Sequence, residues 1–364
     1  MDGTAIILTN GFQDQGSAKT AHGLVRSGDR YQIKAVIDPQ NGGKDAGELL
    51  DGHHRNIPVF ENISALLESK PGQIDYAIIG IATKGGIFPR EMQPTVEAAI
   101  RQGIALVSGL HEYLGDIPQL AELARYHQVQ IIDIRRPKPK NQLHFWTGSI
   151  RKVTCPRIAV LGTDCNLGKR TTTRFLVTAA KEAGLRAEMI YTGQTGWMQG
   201  GKYGLIVDST YNDFVSGEIE HALVSCFEET RPDVIFIEGQ SSFRNPSGPC
   251  GSEFLVSGQA QAVVLQHAPG RRYYQGFEQA QAQIPSLKSE VAIIRLYGAQ
   301  TLAVTLNTSG LDKRQALRYK IQYKDELGIP VVLPLEEGVD RIVPLIKTLA
   351  ERPFPAGDGK VSPV

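Results

Sequence analysis

The sequence predicts an α/β protein in two parts, each organised around a mostly parallel sheet. Three observations carry this. Short apolar runs alternate with longer amphipathic stretches along the chain, the order that βα units produce. The runs are rich in Ile and Val and do not alternate with polar residues, as strands covered on both faces require. One proline-containing stretch, residues 135–156, breaks the rhythm and divides it in two. A length of 364 residues agrees, being long for a single core.

In the first part the predicted strands are "AIILT", "IKAVID", "IPVF", "DYAIIGIA", "IALVSG" and "VQIIDI". Between them "TVEAAIRQ" and "IPQLAELARYH" repeat apolar residues at helical spacing. The first strand runs into "GFQDQGSAKT", which opens a helix. Its lysine is displaced by two positions from the place a phosphate loop gives it, so this is a decoy. Asp38 ends "IKAVID", where a dinucleotide site places a ribose-binding carboxylate, but the G-x-G-x-x-G fingerprint is missing. "GIATKGGIFP" and "SGLHEYLG" read as loops at the carboxyl edge of the sheet. The expected role of this part is substrate recognition or oligomer contact rather than cofactor binding.

Residues 135–156, "RRPKPKNQLHFWTGSIRKVTCP", carry three prolines and a cluster of basic residues. Proline removes a backbone donor and disfavours helix before it, so the stretch reads as a solvated interdomain connection, with "HFWTG" free to pack on one domain. The alternation then resumes. "RIAVLG", "RAEMIYT", "YGLIVD", "DVIFIEG", "AVVLQH", "VAIIRL", "LAVTLN" and "VVLP" are the predicted strands. "TTTRFLVTAAKEAG", "VSGEIEHALVSCFEE", "DKRQALRYKIQYKDELG" and "GVDRIVPLIKTLAE" are the predicted helices.

"GTDCNLGKRTT", residues 162–172, joins the first strand and first helix of this second part. Glycines let the backbone turn tightly and aim its N–H groups at phosphate oxygens, and the helix that follows adds the positive end of its dipole. Lys169 supplies a full charge. The residues expected to hold a phosphate-bearing cofactor are Gly162, Thr163, Asp164, Asn166, Gly168, Lys169, Arg170, Thr171 and Thr172. The loop has five residues between its glycines, where the common pattern has four, and Arg170 stands where the common pattern has Ser or Thr. Magnesium takes oxygen ligands, so Arg170 cannot hold it, whereas an arginine binds phosphate directly. Thr171 or Thr172 is left to supply a hydroxyl. Cys165 lies in the loop without a paired histidine in sequence and reads as a spectator.

An acidic residue at the end of a second strand completes such a site. Glu238, closing "DVIFIEG", is the expected catalytic carboxylate and, with Thr171, the magnesium ligand if magnesium is used; Asp208, closing "YGLIVD", is the second catalytic candidate. Gln194 and Thr195 in "TGQTGW", Gln240 in "IEGQSS", and His267, Arg271 and Arg272 in "QHAPGRR" are the candidates for binding substrate. They follow strands, at the edge where open α/β sheets bind ligands.

Composition narrows the partners. The net charge is +1, from 39 basic and 38 acidic residues, which gives no support for a nucleic-acid partner. No apolar run approaches the length of a membrane span, and the first residues lack the pattern of a signal peptide. The 4 cysteines form no C-x-x-C pair, so neither a zinc site nor a disulfide framework is expected, and the cytoplasm is the expected compartment. The expected partner is a small molecule, with a homo-oligomer left open.

The spacing G-T-D, three residues, G-K resembles the loop of dethiobiotin synthetase, with Arg170 as the departure. Across nearly the whole chain, "GLHEYLGD", "GTDCNLGKRTT", "TGQTGW", "IEGQSS" and "QHAPGRR" resemble a bacterial and archaeal P-loop family long catalogued as a domain of unknown function. The resemblance implies a Rossmann-like N-terminal domain followed by a P-loop NTPase-like domain. The expected boundaries are 1–134, a linker at 135–156, the nucleotide-binding domain at 157–352 and a loose tail at 353–364. Some members of that family are described as D-glutamate N-acetyltransferases, which implies acetyl-CoA. The dethiobiotin synthetase resemblance implies instead an ATP- and magnesium-dependent carboxylate–amine ligase. A nucleotide-dependent regulatory protein is the third reading, disfavoured because glycine-rich loops on two folded domains suit a small molecule.

Overall fold

The computed structural model describes residues 2–13 and 17–351. Part of "GFQDQGSAKT", residues 14–16, and the tail at 353–364 lie outside the described residues. The chain forms two compact units. One comprises the residues up to Pro137 together with Gln194–Gly201; the other comprises Lys138–Gly193 and the residues from Lys202 onward.

The first unit holds strands β1 (Gly3–Leu8), β2 (Tyr31–Ile37), β3 (Val59–Phe60), β4 (Tyr76–Ile79), β5 (Ala105–Ser108) and β6 (Ile131–Asp133). They pair in parallel in the order β3-β2-β1-β4-β5-β6, the doubly wound arrangement that reverses direction between β1 and β4. Local chemistry sets the helices between them. The Asn62 and Asp45 side chains cap Ile63–Glu68 and Ala46–Asp51, and proline opens the first turn of Gln93–Arg101 and of Pro118–Tyr126. At the switch point a Cβ on Gly80 would stand 2.4 Å from the Ile7 side chain, so the loop after β4 tolerates only glycine there. The Asp38 carboxylate is fully buried and is spent within the fold. It accepts from Thr9 Oγ1 at 2.7 Å, from the backbone of Gly11, Phe12 and Gln40, and from Asn41. Burial alone would raise its pKa, and these donors outweigh burial and hold it below the ordinary range.

The second unit holds β7 (Arg157–Gly162), β8 (Ala187–Tyr191), β9 (Tyr203–Gly204), β10 (Val234–Glu238), β11 (Ala262–His267), β12 (Gln300–Leu306) and β13 (Val331–Val332). All pair in parallel, in the order β13-β12-β11-β7-β10-β8-β9. β7 lies between β10 and β11, and all six of its residues are buried. Ala159 and Leu161 face the core made with helix Asn212–Thr230; Ile158 and Val160 face the core made with helix Lys169–Glu182.

Residues 138–150 form a strap on this unit. Glu218, on helix Asn212–Thr230, accepts from Lys138 Nζ at 2.8 Å and from the His144 backbone at 3.0 Å. Glu220 accepts from the backbone of Thr147 at 2.7 Å and of Ile150 at 3.0 Å. A Cβ on Gly217 would stand 2.0 Å from the His144 carbonyl oxygen, so the helix carries glycine where the strap crosses.

Two expected strands differ. "VAIIRL" belongs to helix Leu287–Leu296, capped by the Ser286 side chain, with Leu287, Glu290 and Ile294 as its buried face. The short apolar run was one part of a longer amphipathic period. "YGLIVD" keeps only Tyr203–Gly204 as strand, and Asp208 sits in a short 3₁₀ turn, Val207–Ser209. β9 is the edge strand, with one neighbour to hold it extended. Among the described residues no helix is long and apolar enough to cross a membrane.

Candidate functional site

The loop between β7 and helix Lys169–Glu182 leaves the carboxyl edge of the sheet at its centre. Gly168 precedes the helix at φ 97°, a left-handed conformation that glycine adopts without strain. Lys169 then folds back over the loop. Its ammonium is buried and donates to the Asp164 carbonyl at 2.7 Å and the Ser241 carbonyl at 3.0 Å. Burial pushes its pKa down, against the raising influence of Cys165, Asp164, Cys250 and Glu238. The lysine charge and the positive end of the helix dipole meet at this point, and both favour an anion.

The loop is braced from behind. The Asp164 carboxylate is fully buried and accepts from Asn245 Nδ2 at 3.2 Å, Arg271 Nη1 at 3.1 Å and the Gln275 backbone at 3.0 Å. Arg271 also donates to the Cys165 carbonyl at 2.8 Å and the Asn166 carbonyl at 3.2 Å. Asn166, at φ 52°, donates its side chain to Gln275 Oε1 at 2.9 Å. Arg271 thus ties three points of the loop together, whereas the sequence suggested contact with substrate. Arg272 is exposed, its guanidinium 5.3 Å from the Tyr273 ring.

Thr163 and His267 form a second brace. The Thr163 backbone donates to the Gln266 carbonyl at 3.0 Å, and its hydroxyl lies 2.9 Å from His267 Nδ1. His267 Nε2 lies 3.4 Å from the Tyr323 hydroxyl on helix Lys313–Leu327. Burial pushes the His267 pKa down to about 4, so the ring is neutral at physiological pH. It is buried between Thr163 and Tyr323.

Glu238, at the end of β10, is buried, and its Oε2 accepts from the Thr192 backbone at 3.1 Å. Burial raises its pKa, against Arg170, the Thr192 N–H, Lys169 and the Gly193 N–H. Arg170 is the strongest of the charges acting on it. The Gln240 side chain donates to Thr192 Oγ1 at 3.0 Å, and that hydroxyl donates to the Glu238 carbonyl at 2.8 Å. Asp208 follows Val207, whose N–H donates to the Thr192 carbonyl at 3.1 Å.

Of the two hydroxyls expected to serve a magnesium ion, Thr171 and Thr172, the second is hydrogen-bonded within the fold. Thr172 Oγ1 donates to Gln266 Oε1 at 2.6 Å inside the fold, and Thr173 Oγ1 donates to the Lys169 carbonyl at 2.8 Å. One residue along a helix turns the side chain by about 100°, which carries Thr172 onto the sheet-facing side, where its hydroxyl proton goes to Gln266. Thr171 is half-buried at the third helical position. Among the described residues no group of three or more His, Cys, Asp or Glu could hold a metal ion.

Gln194 and Thr195 fall in the first unit, where Thr195 Oγ1 lies 3.3 Å from Thr20 Oγ1. They open the short helix Gln194–Met198. Several residues that build the loop's surroundings escaped sequence reasoning: Thr192, Ser241, Asn245, Gln266, Gln275 and Tyr323. Ser241 and Gln266 lie next to residues singled out, in "IEGQSS" and "QHAPGRR"; Asn245 and Gln275 had no signal beyond following a strand.

Comparison with known proteins places this geometry in a family context. Residues 144–343 match a family model described as a DUF1611 domain of unknown function, P-loop domain, and residues 39–137 match its Rossmann-like N-terminal partner model. A D-glutamate N-acetyltransferase of Pseudoalteromonas sp. is 33% identical over 273 residues, covering 73% of this chain and 79% of the relative. A second D-glutamate N-acetyltransferase, from Tritonibacter scottomollicae, is 30% identical over 302 residues, covering 81% of this chain and 87% of the relative. The crystal structure of a DUF1611 protein from Anabaena variabilis superposes with a TM-score of 0.85 at 28% identity, covering 96% of this chain and all of that one.

Proposed function

We propose that this chain, which belongs to the DUF1611 family, transfers an acetyl group from acetyl-CoA to the amino group of an acidic amino acid, D-glutamate first. The names of the two relatives support the substrate pair. The observation in the molecule that carries the reading is the phosphate cradle: Gly168 and Lys169 at a helix N-terminus, with a buried carboxylate, Glu238, within reach of the same charges. Coenzyme A offers phosphates for such a cradle, and the loop N–H groups, Lys169 and Arg170 are the groups that would hold them.

In acetyl transfer the neutral amine attacks the thioester carbonyl, the carbon–nitrogen bond forms, and the coenzyme leaves as a thiolate. The attacking ammonium must first lose a proton. Glu238 is the candidate base. Burial makes its carboxylate more basic than an exposed one, which suits a group that must take a proton and return it. The coenzyme's arm is a flexible chain, so a base beside the loop requires that the arm fold back toward it. A split between catalytic and binding effects reads this directly: Glu238→Gln lowers kcat with unchanged coenzyme affinity if Glu238 meets the reacting amine, and lowers affinity alone if it only shapes the cradle.

The ligase reading keeps one specific observation, the loop spacing shared with dethiobiotin synthetase. One assay separates the two. The protein is incubated with D-glutamate and acetyl-CoA, with and without EDTA, and free thiol is measured. Thiol release that depends on D-glutamate and survives EDTA supports transfer. Magnesium-dependent ADP formation from ATP, with no thiol release, overturns it.

A further inference from the structure

We propose that Arg170 is the resident cation of this site, taking the place that a hydroxyl-bound magnesium ion occupies in other phosphate loops, so that the loop holds its ligand's phosphates without a divalent metal. The inference rests on the phosphate-loop reading above, but not on acetyl transfer or on D-glutamate.

The argument is one of position and alternatives. Arg170 directly follows Lys169, the first residue of helix Lys169–Glu182, and so stands at the place from which a Ser or Thr hydroxyl reaches the metal. Of the three threonines that follow, Thr172 is bound to Gln266 and Thr173 to the Lys169 carbonyl, which leaves the half-buried Thr171, one residue beyond the usual place, as the competing hydroxyl. The acidic partner is present, since Glu238 is buried at the end of β10, the strand beside β7. In a metal-dependent loop that carboxylate faces the ion. Here the positive charges that act on it are Arg170 and Lys169, the first two residues of the helix. A guanidinium meets both demands at once. It balances the buried carboxylate and offers a planar fork of donors to phosphate oxygens. Unlike a metal ion it supplies no coordination sites for an attacking or leaving oxygen, so what it contributes to the site is charge and hydrogen-bond donors.

The test measures binding, separately from turnover, on the full chain. CoA and ADP are titrated calorimetrically against wild type and against Arg170→Thr and Arg170→Lys variants, in EDTA and in magnesium. Circular dichroism confirms that each variant is folded. For wild type, CoA affinity is expected to be the same in EDTA as in magnesium. Arg170→Thr is expected to lose about tenfold or more in EDTA, the loss of one charge-assisted contact, and to regain affinity for ADP when magnesium is added. Arg170→Lys, which keeps charge but loses the fork, should fall between. Magnesium-dependent binding by wild type overturns the proposal, as does Arg170→Thr binding CoA as wild type does in EDTA. Metal-independent binding without acetylation of D-glutamate leaves this inference standing and removes the transferase reading.

Discussion

Acid should loosen the second unit through one residue, His267. The ring is buried between Thr163 and Tyr323, and burial holds its pKa at about 4, against 6.5 for a free histidine. A folded-state pKa depressed in this way favours the neutral ring. The unfolded chain takes up a proton as pH falls through about 6.5, while the folded one resists until about pH 4. Stability is therefore intact above pH 6.5 and is lost between the two values. The full gap of about 2.5 units corresponds to ~3 kcal/mol, and at pH 5 the loss is about 2 kcal/mol. His267→Asn keeps a polar group toward Thr163 and removes the titration. The chain has 2 tryptophans, Trp146 in the second unit and Trp197 in the first, so Trp197→Phe leaves a single reporter for the unit of interest. Urea melts followed by Trp146 fluorescence at pH 7.5 and pH 5 should lose about 2 kcal/mol more in the His267 parent than in the His267→Asn variant. The difference cancels other acid-sensitive groups. Equal losses in both proteins, or an NMR titration of His267 with a midpoint near 6.5, would refute the argument.

Three other outcomes are expected. Lys169→Ala should weaken CoA or nucleotide binding by ~1.5–3 kcal/mol in calorimetry, as removal of a charged donor does; affinity equal to wild type for both ligands would show that the loop does not bind phosphate. Arg271→Ala removes donors from a buried carboxylate and two loop carbonyls, and should cost about 2–3 kcal/mol in Trp146-monitored melts, with Arg271→Lys recovering only part because an ammonium cannot span the three acceptors. If Glu238 is the base, kcat should rise with pH through a midpoint above the ordinary carboxylate range, since the group works only when ionised and burial has raised its pKa; a flat profile there would assign the proton to another group.

The loop was legible because its geometry is written in residue types. Only glycine suits Gly168, and a strand before it and a helix after it are visible as apolar periods. Its surroundings were less so. Arg271 and a ligand-binding arginine look alike in sequence, and only the fold brings Asp164, Cys165 and Asn166 to one side chain. His267 is similar: a polar residue at a strand end reads as facing the ligand, but here it meets Tyr323, which lies far along the chain. "VAIIRL" misled because a buried strand and part of a buried helix share an apolar run, and the deciding cap, Ser286, lies outside that run. Gln194 and Thr195 were assigned by the strand they follow, and nothing local reports that the chain changes unit at that point.

That change of unit has a consequence for how the protein is made. The first unit needs Gln194–Gly201. Met198 is fully buried among Leu24, Val25 and Tyr31, Gln199 Nε2 donates to the Gly23 and Ser27 carbonyls at 2.7 Å, and the Trp197 carbonyl accepts from Arg30 Nε at 2.8 Å. A ribosome delivers these residues only after β7, helix Lys169–Glu182 and β8 have been synthesised. The nascent N-terminal sheet must wait, one flank of helix Lys19–Arg26 uncovered, while the start of its neighbour emerges. No single cleavage point separates the halves into two finished products. A fragment ending at Pro137 should be expressed poorly or aggregate, and adding a linker that returns residues 194–201 in cis should rescue it.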